Sequence, residues 1–259
     1  SIMLELGNSF AEQENFNQAQ KYYQKSLKLN PNYPEALINL GHLYIDQGEW
    51  QQADQFFNKG YRLKHGIPYN EGNYNLLDYV PAKDSIIITK HKIKHDIEQL
   101  EYLLKQNCLP EIFKKVLANY QELDQSLPES EPGKFLITLN NMQKSKIENV
   151  YGRNLYIEPV QTTKKQIIST ELEFADIQND FLKNIPNFTF FDNFLTKEGL
   201  ESLRQYCLCS TIWNIYQNSW GYIRSYIDDG FSCPLLYQIA DELRNKLPLV
   251  FRNLSIIKM

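Results

Sequence analysis

The sequence predicts an α+β protein, with a helical-repeat solenoid at the N-terminus and a domain of short strands and helices behind it. Three observations carry this. A pattern of small and aromatic residues recurs at one fixed offset over 1–65. Helical apolar spacing returns between residues 93 and 123. After a stretch rich in Pro, Ser and Glu at 126–134, ring-rich and alternating segments are mixed with short amphipathic ones.

The repeat constrains the most, because a fixed period sets both helix lengths and packing positions. Gly7 and Gly41 stand 34 positions apart. The same offset pairs Leu6 with Leu40, Phe10 with Tyr44, Phe16 with Trp50, Ala19 with Ala53, Tyr23 with Phe57, Ser26 with Gly60 and Leu29 with Leu63. Small residues at Gly7/Gly41 and Ala19/Ala53 let antiparallel helices approach closely, and the rings fill the space beside them. Pro31 and Pro34 stop one helix and suit the first turn of the next. Helices are expected at 2–13, 16–29, 34–47 and 50–63, with Gly41 and Ala53 at the closest contact.

This pattern over 1–65 resembles the tetratricopeptide family. The resemblance implies a scaffold that holds a protein or peptide partner and has no chemistry of its own. Each repeat buries its face only against neighbours. Further repeats before Ser1, or a cap from the following domain, are therefore expected. His42, next to the repeat glycine, reads as a surface or groove residue.

From His65 to Pro81, Gly66, Pro68, Gly72 and Pro81 mark a loop. Ile93, Ile97, Leu100 and Leu104 then form one apolar stripe. Beyond a break at Asn107-Cys108-Leu109-Pro110, a second stripe runs through Phe113, Val116, Leu117, Tyr120 and Leu123. Residues 66–125 thus read as a loop and a helical hairpin extending the solenoid, and 126–134 as the linker to the next domain. His91 and His95 are four apart, a spacing that can chelate a metal on one helix face. Lys90, Lys92 and Lys94 surround them and would repel a divalent cation, so no metal ligand is assigned.

In the last domain, 135–259, Phe188-Thr189-Phe190-Phe191 reads as a strand. Thr196 is placed as the N-cap of a helix with Leu195 and Leu200 as its hydrophobic staple, and an apolar stripe runs on through Leu203 and Cys207. Residues 221–227 alternate like a strand, and Asp228-Asp229-Gly230 is a turn. Ser232 is placed as the cap of a last helix running through Leu236, Ile239, Ala240, Leu243 and Leu247 to Pro248.

Residues 185–195, 203–207, 210–213, Gly221-Tyr222 and 233–240 together resemble the start of a Fe(II)/2-oxoglutarate-dependent oxygenase domain. More specifically, the chain is similar to proteins that join tetratricopeptide repeats to a prolyl-hydroxylase-like oxygenase, whose connecting region residues 94–100 also resemble. The resemblance implies that 135–259 is the first part of a double-stranded β-helix, incomplete at its C-terminus. It also implies Fe(II) and 2-oxoglutarate in a full-length parent that hydroxylates a protein or small molecule. Such enzymes hold iron with a His-x-Asp pair and a distal His. The four histidines here, His42, His65, His91 and His95, all lie upstream, and none has Asp two positions on. No catalytic residue, metal or cofactor is therefore assigned to this chain, which is expected to be inactive by itself. Trp213, Tyr222 and Arg224 are the candidate substrate-binding residues, since an Arg can meet a carboxylate bidentately. Ordinary sheet packing with Arg224 on the wet face is the plainer alternative. The other functional class is a non-enzymatic adaptor that binds a protein partner.

Composition narrows the partners. A net charge of −4 and a pI near 5.7 lack the basic footprint of a nucleic-acid binder. The longest apolar runs, at 86–88 and 254–257, are far too short to span a bilayer, and 1–5 carry no signal-peptide pattern. Four cysteines are too few and scattered for a disulfide framework. Cys207 and Cys209 sit too close for a zinc-ligand pair and read as small buried hydrophobes. A reducing cytoplasm is the expected location.

Overall fold

The computed structural model describes residues 1–72, 86–128, 136–163, 165–217 and 222–251. Residues 73–81 of the expected loop, 129–134 of the linker, Gly221 and the run 254–257 lie outside the described residues. The described elements are mostly helical. In chain order they are α1 (Ile2–Glu12), α2 (Phe16–Leu29), α3 (Pro34–Asp46), α4 (Trp50–His65), β1 (Ile87–Ile88), α5 (Lys90–Lys105), α6 (Phe113–Ser126), β2 (Ile137–Thr138) and α7 (Asn141–Ile147). They continue with α8 (Phe174–Lys183), α9 (Lys197–Cys209), β3 (Ile215–Gln217), β4 (Tyr222–Arg224), α10 (Pro234–Lys246) and α11 (Pro248–Phe251). Two compact units result. One comprises Ser1–Tyr61, Pro159–Tyr206 and Gly230–Met259, the other Arg62–Glu158 and Cys207–Asp229.

The first unit opens with the repeats, whose four helices end within two residues of the expected positions. Local chemistry sets those ends. Asn15 caps α2 by accepting from the Gln18 N–H, and Pro34 occupies the first turn of α3. A Cβ built on Gly7 would lie 2.3 Å from the Tyr23 ring, and one on Gly41 2.6 Å from the Phe57 ring. The close approach is thus made by a ring packed directly against each glycine. Ala19 and Ala53, fully buried one helical turn before those rings, let the helices come near enough.

The later pieces of this unit cover the second repeat. Trp50 stacks on Tyr237 of α10 with ring centroids 6.4 Å apart, and the Arg244 guanidinium lies 4.8 Å over the Trp50 ring. Ser232 does not cap α10, as the local pattern implies. Its hydroxyl donates to Asp54 at 2.6 Å and bonds the Tyr237 hydroxyl at 2.8 Å, while Cys233 takes the N-cap position without a side-chain capping bond to the helix. The half-buried Asp54 carboxylate forms a charge-assisted bond that holds the hydroxyl away from the helix end. Thr196 does cap α9, accepting from the Gly199 N–H at 3.1 Å. The face that α9 buries is not the expected one, however. Gly199, Tyr206 and Cys209 are buried and Leu200 is exposed, because Gly199 packs against Ile167, where a larger residue would not fit. The expected strand at 188–191 is irregular, with Phe190 89% exposed. Side chains shape this loop instead, through Thr189 Oγ1 donating to Asp180 at 2.8 Å and Asn184 Nδ2 donating to the Phe188 carbonyl at 2.8 Å.

The second unit packs α5, α6 and α7 around a core that includes Ile93, Leu100, Leu103, Phe113, Tyr120, Leu123 and Ile147. Of the expected α5 stripe, Ile93 and Leu100 are buried and Ile97 partly so, while at its end Leu103 is fully buried and Leu104 only partly so. β1 and β2 pair antiparallel, as do β3 and β4, with Ile215 opposite Arg224. Over 136–251 the described elements are helices and short paired strands joined by irregular segments; a double-stranded β-helix is not among the described elements. All four cysteines are free thiols, with Cys209 and Cys233 buried. Burial, and the neighbouring Cys108 and Glu158, push the Cys209 thiol up to about 12, which suits a packing residue and not a nucleophile.

One cluster in this unit makes stability depend on pH. The Asp229 carboxylate lies 3.5 Å from His65 Nε2 and 3.6 Å from Lys64 Nζ. His65 Nδ1 donates to the Gly152 carbonyl at 2.7 Å, which fixes the ring. Burial acts to raise the Asp229 carboxyl, but the bond from His65 and the charge of Lys64 outweigh it and hold the group below its ordinary 3.8. A carboxyl depressed in the folded state stabilises above its unfolded pKa, and that contribution is lost as pH falls through the folded value. Below about pH 4, melting temperature should therefore drop more steeply in the native chain than in Asp229→Asn. Thermal melts from pH 7 to pH 3 check this, and parallel curves would rule out the linkage.

Candidate functional site

The repeats of the first unit carry a groove with a volume of about 370 Å³. α1 and α3 form its walls because their second-turn residues, Asn8 and Asn39, face each other across it. Asn39 Nδ2 donates to Asn8 Oδ1 at 2.7 Å, and the Tyr23 hydroxyl from α2 donates to the same oxygen at 3.0 Å. Three polar side chains from two successive repeats are thereby locked together at the groove floor. Burial raises the Tyr23 phenol pKa, a hydrogen bond with Asn39 opposes that rise, and the nearby Glu12 charge adds to it. The hydroxyl therefore stays a donor. His42 also lines the groove, its ring edge-on to Phe57 with centroids 5.0 Å apart. Glu12 and Asp46 stand at one end of the two walls.

The second unit holds a smaller polar hole of about 30 Å³, lined in part by Lys92, Asp96, Gln99, Arg153 and Trp213. That is room for a water or two and not for an organic substrate. Lys92 and Asp96 form a buried ion pair there, one turn apart on α5. Burial pushes the adjoining Tyr151 phenol up, and the Asp96 charge adds to the push.

The three candidate substrate-binding residues lie on or just before the β3–β4 pair of the second unit. Trp213 lines the small hole and donates its indole N–H to the Cys207 carbonyl at 3.0 Å. Tyr222 and Arg224 both sit on β4, Tyr222 exposed and Arg224 with its guanidinium 4.5 Å over the Tyr226 ring. His91 is exposed, its ring 6.1 Å from that of Tyr216, whereas His95 Nδ1 is 3.3 Å from Asp96. Among the described residues no group of three His, Cys, Asp or Glu side chains is placed to hold a metal ion. No helix of the described residues is long and apolar enough to cross a membrane.

Sequence reasoning passed over Asn8, Asn39, Glu12 and Asp46. One signal was available: each polar residue falls on the helix face opposite the consensus small and aromatic positions.

A tetratricopeptide repeat family model matches residues 10–61 of this chain. No curated protein and no solved structure matches it.

Proposed function

We propose that this chain is a protein-interaction scaffold whose repeat groove holds a segment of a partner protein. Tetratricopeptide repeats generally mediate protein–protein contacts. The observation that carries the reading is the groove itself, whose hydrogen-bonding side chains come from two successive repeats and are held in place before any partner arrives. Preorganised groups bind without a further ordering cost. The test is panning of a displayed random peptide library on the chain. Enriched peptides should bind about tenfold more weakly when Asn8 and Asn39 are both replaced by Ala. Enriched peptides indifferent to that change would move the binding site elsewhere.

A narrower reading is that the scaffold serves a Fe(II)/2-oxoglutarate-dependent oxygenase acting on a protein or small molecule. It is supported by the resemblance across 185–240 and at 94–100 alone. On this reading Trp213, Tyr222 and Arg224 contact substrate, and the iron ligands lie outside this chain. Elemental analysis after reconstitution with Fe(II) and desalting should then find no retained iron. Stoichiometric iron that disappears on His91→Ala or His95→Ala would overturn this placement.

A further inference from the structure

The charges of the four repeat helices are segregated. α1 carries Glu5 and Glu12, α3 carries Glu35 and Asp46, and neither helix contains a Lys or Arg. α2 has the opposite balance, with Lys21, Lys25 and Lys28 and no carboxylate. α4 sets Lys59, Arg62 and Lys64 against the single carboxylate of Asp54.

Helix geometry turns this composition into a surface. Residues three, four and seven apart share one face. Glu5, Asn8 and Glu12 therefore line up along α1, and Glu35, Asn39, His42 and Asp46 along α3. These are the faces that supply the groove, through Asn8, Glu12, Asn39, His42 and Asp46. The α2 residue in the groove is the uncharged Tyr23. Lys25 on the same helix is turned to the Tyr22 ring, with its ammonium 4.8 Å from the centroid. The groove thus has carboxylates at its end, neutral hydrogen-bonding amides on its floor and no ammonium or guanidinium in its wall.

We infer that the groove selects a basic segment of the partner, with a Lys or Arg side chain entering between Glu12 and Asp46 while Asn8 and Asn39 face its backbone. The inference rests on the groove reading above and adds the chemistry of the occupant. An acidic segment would meet like charge at the same place, which disfavours it directly. A cationic side chain replaces some of its lost hydration with carboxylate contacts. Because the site is open to solvent, the preference should weaken as salt screens it.

Fluorescence anisotropy with the full chain and three fluorescein-labelled degenerate peptide pools separates the possibilities. The pools share their apolar residues and differ only in carrying Lys/Arg, Ser/Gln or Asp/Glu. The basic pool should bind at least about tenfold tighter than the neutral one, with the gap narrowing at about 0.5 M NaCl. The double variant Glu12→Gln/Asp46→Asn should bring the basic pool down to the neutral pool's level. A basic preference that survives the double variant overturns the inference. So does a neutral or acidic pool that binds best and is weakened by Asn8→Ala, an outcome that leaves the groove reading standing. Absence of binding by every pool overturns the groove reading itself.

Discussion

Replacing Gly41 by leucine is expected to destabilise the chain by about 3 kcal/mol and to lower its melting midpoint by roughly 6–12 °C. A Cβ at this position would already stand 2.6 Å from two atoms of the Phe57 ring, well inside contact distance. The ring cannot swing aside, because it is 1% exposed and closed in by the repeat core. Overpacking of this kind forces side chains off their rotamers and shifts backbone. Phe57→Ala alone should cost about 3–4 kcal/mol through the void it leaves. The two changes meet at one place, so the double variant should lose less than their sum, leucine filling part of that void. Urea melts of the two single variants and the double variant measure the coupling. Strict additivity would show that Gly41 and Phe57 do not share a contact.

Trp50→Ala should cost about 3–5 kcal/mol, and its effect should appear far along the chain from residue 50. Trp50 joins the second repeat to α10 through Tyr237 and Arg244. Loss of the indole removes the surface on which α10 rests while leaving the α1–α2 contact untouched. Hydrogen exchange should therefore speed up in α10 before it does in α1 and α2. Arg244→Ala should cost less than about 1 kcal/mol, the scale of an exposed cation–π contact. An α10 whose protection is unchanged by Trp50→Ala would mean that another contact anchors it.

The repeats were legible because one period encodes both where each helix stops and what it packs against. Phe57 and Gly41 announce their contact through the matching pair Tyr23 and Gly7. The hairpin α5–α6 was legible for a related reason, since each stripe faces the other helix across a short break. Elsewhere local pattern named apolar residues without naming what covers them. Phe188–Phe191 is ring-rich like a strand, yet a strand needs a partner to satisfy its backbone, and here Asp180 and Asn184 hold the loop instead. Leu200 looks like a core residue until Ile167 is known to lie over Gly199. Ser232 sits where a cap belongs, and only tertiary structure brings Asp54 within reach. The groove was half legible. Its amides and carboxylates stand in the sequence, but their convergence needs two helices to be laid side by side.

The bond between Asp54 and Ser232 spans 178 residues. Translation at ~5–20 residues per second puts roughly 10–35 s between the appearance of one partner and the other. Over that interval the second repeat has left the ribosome while its Trp50 face stays uncovered. Contacts of such long range also form late, after the cost of closing the intervening loop has been met. The nascent chain thus carries an uncovered aromatic surface throughout that interval.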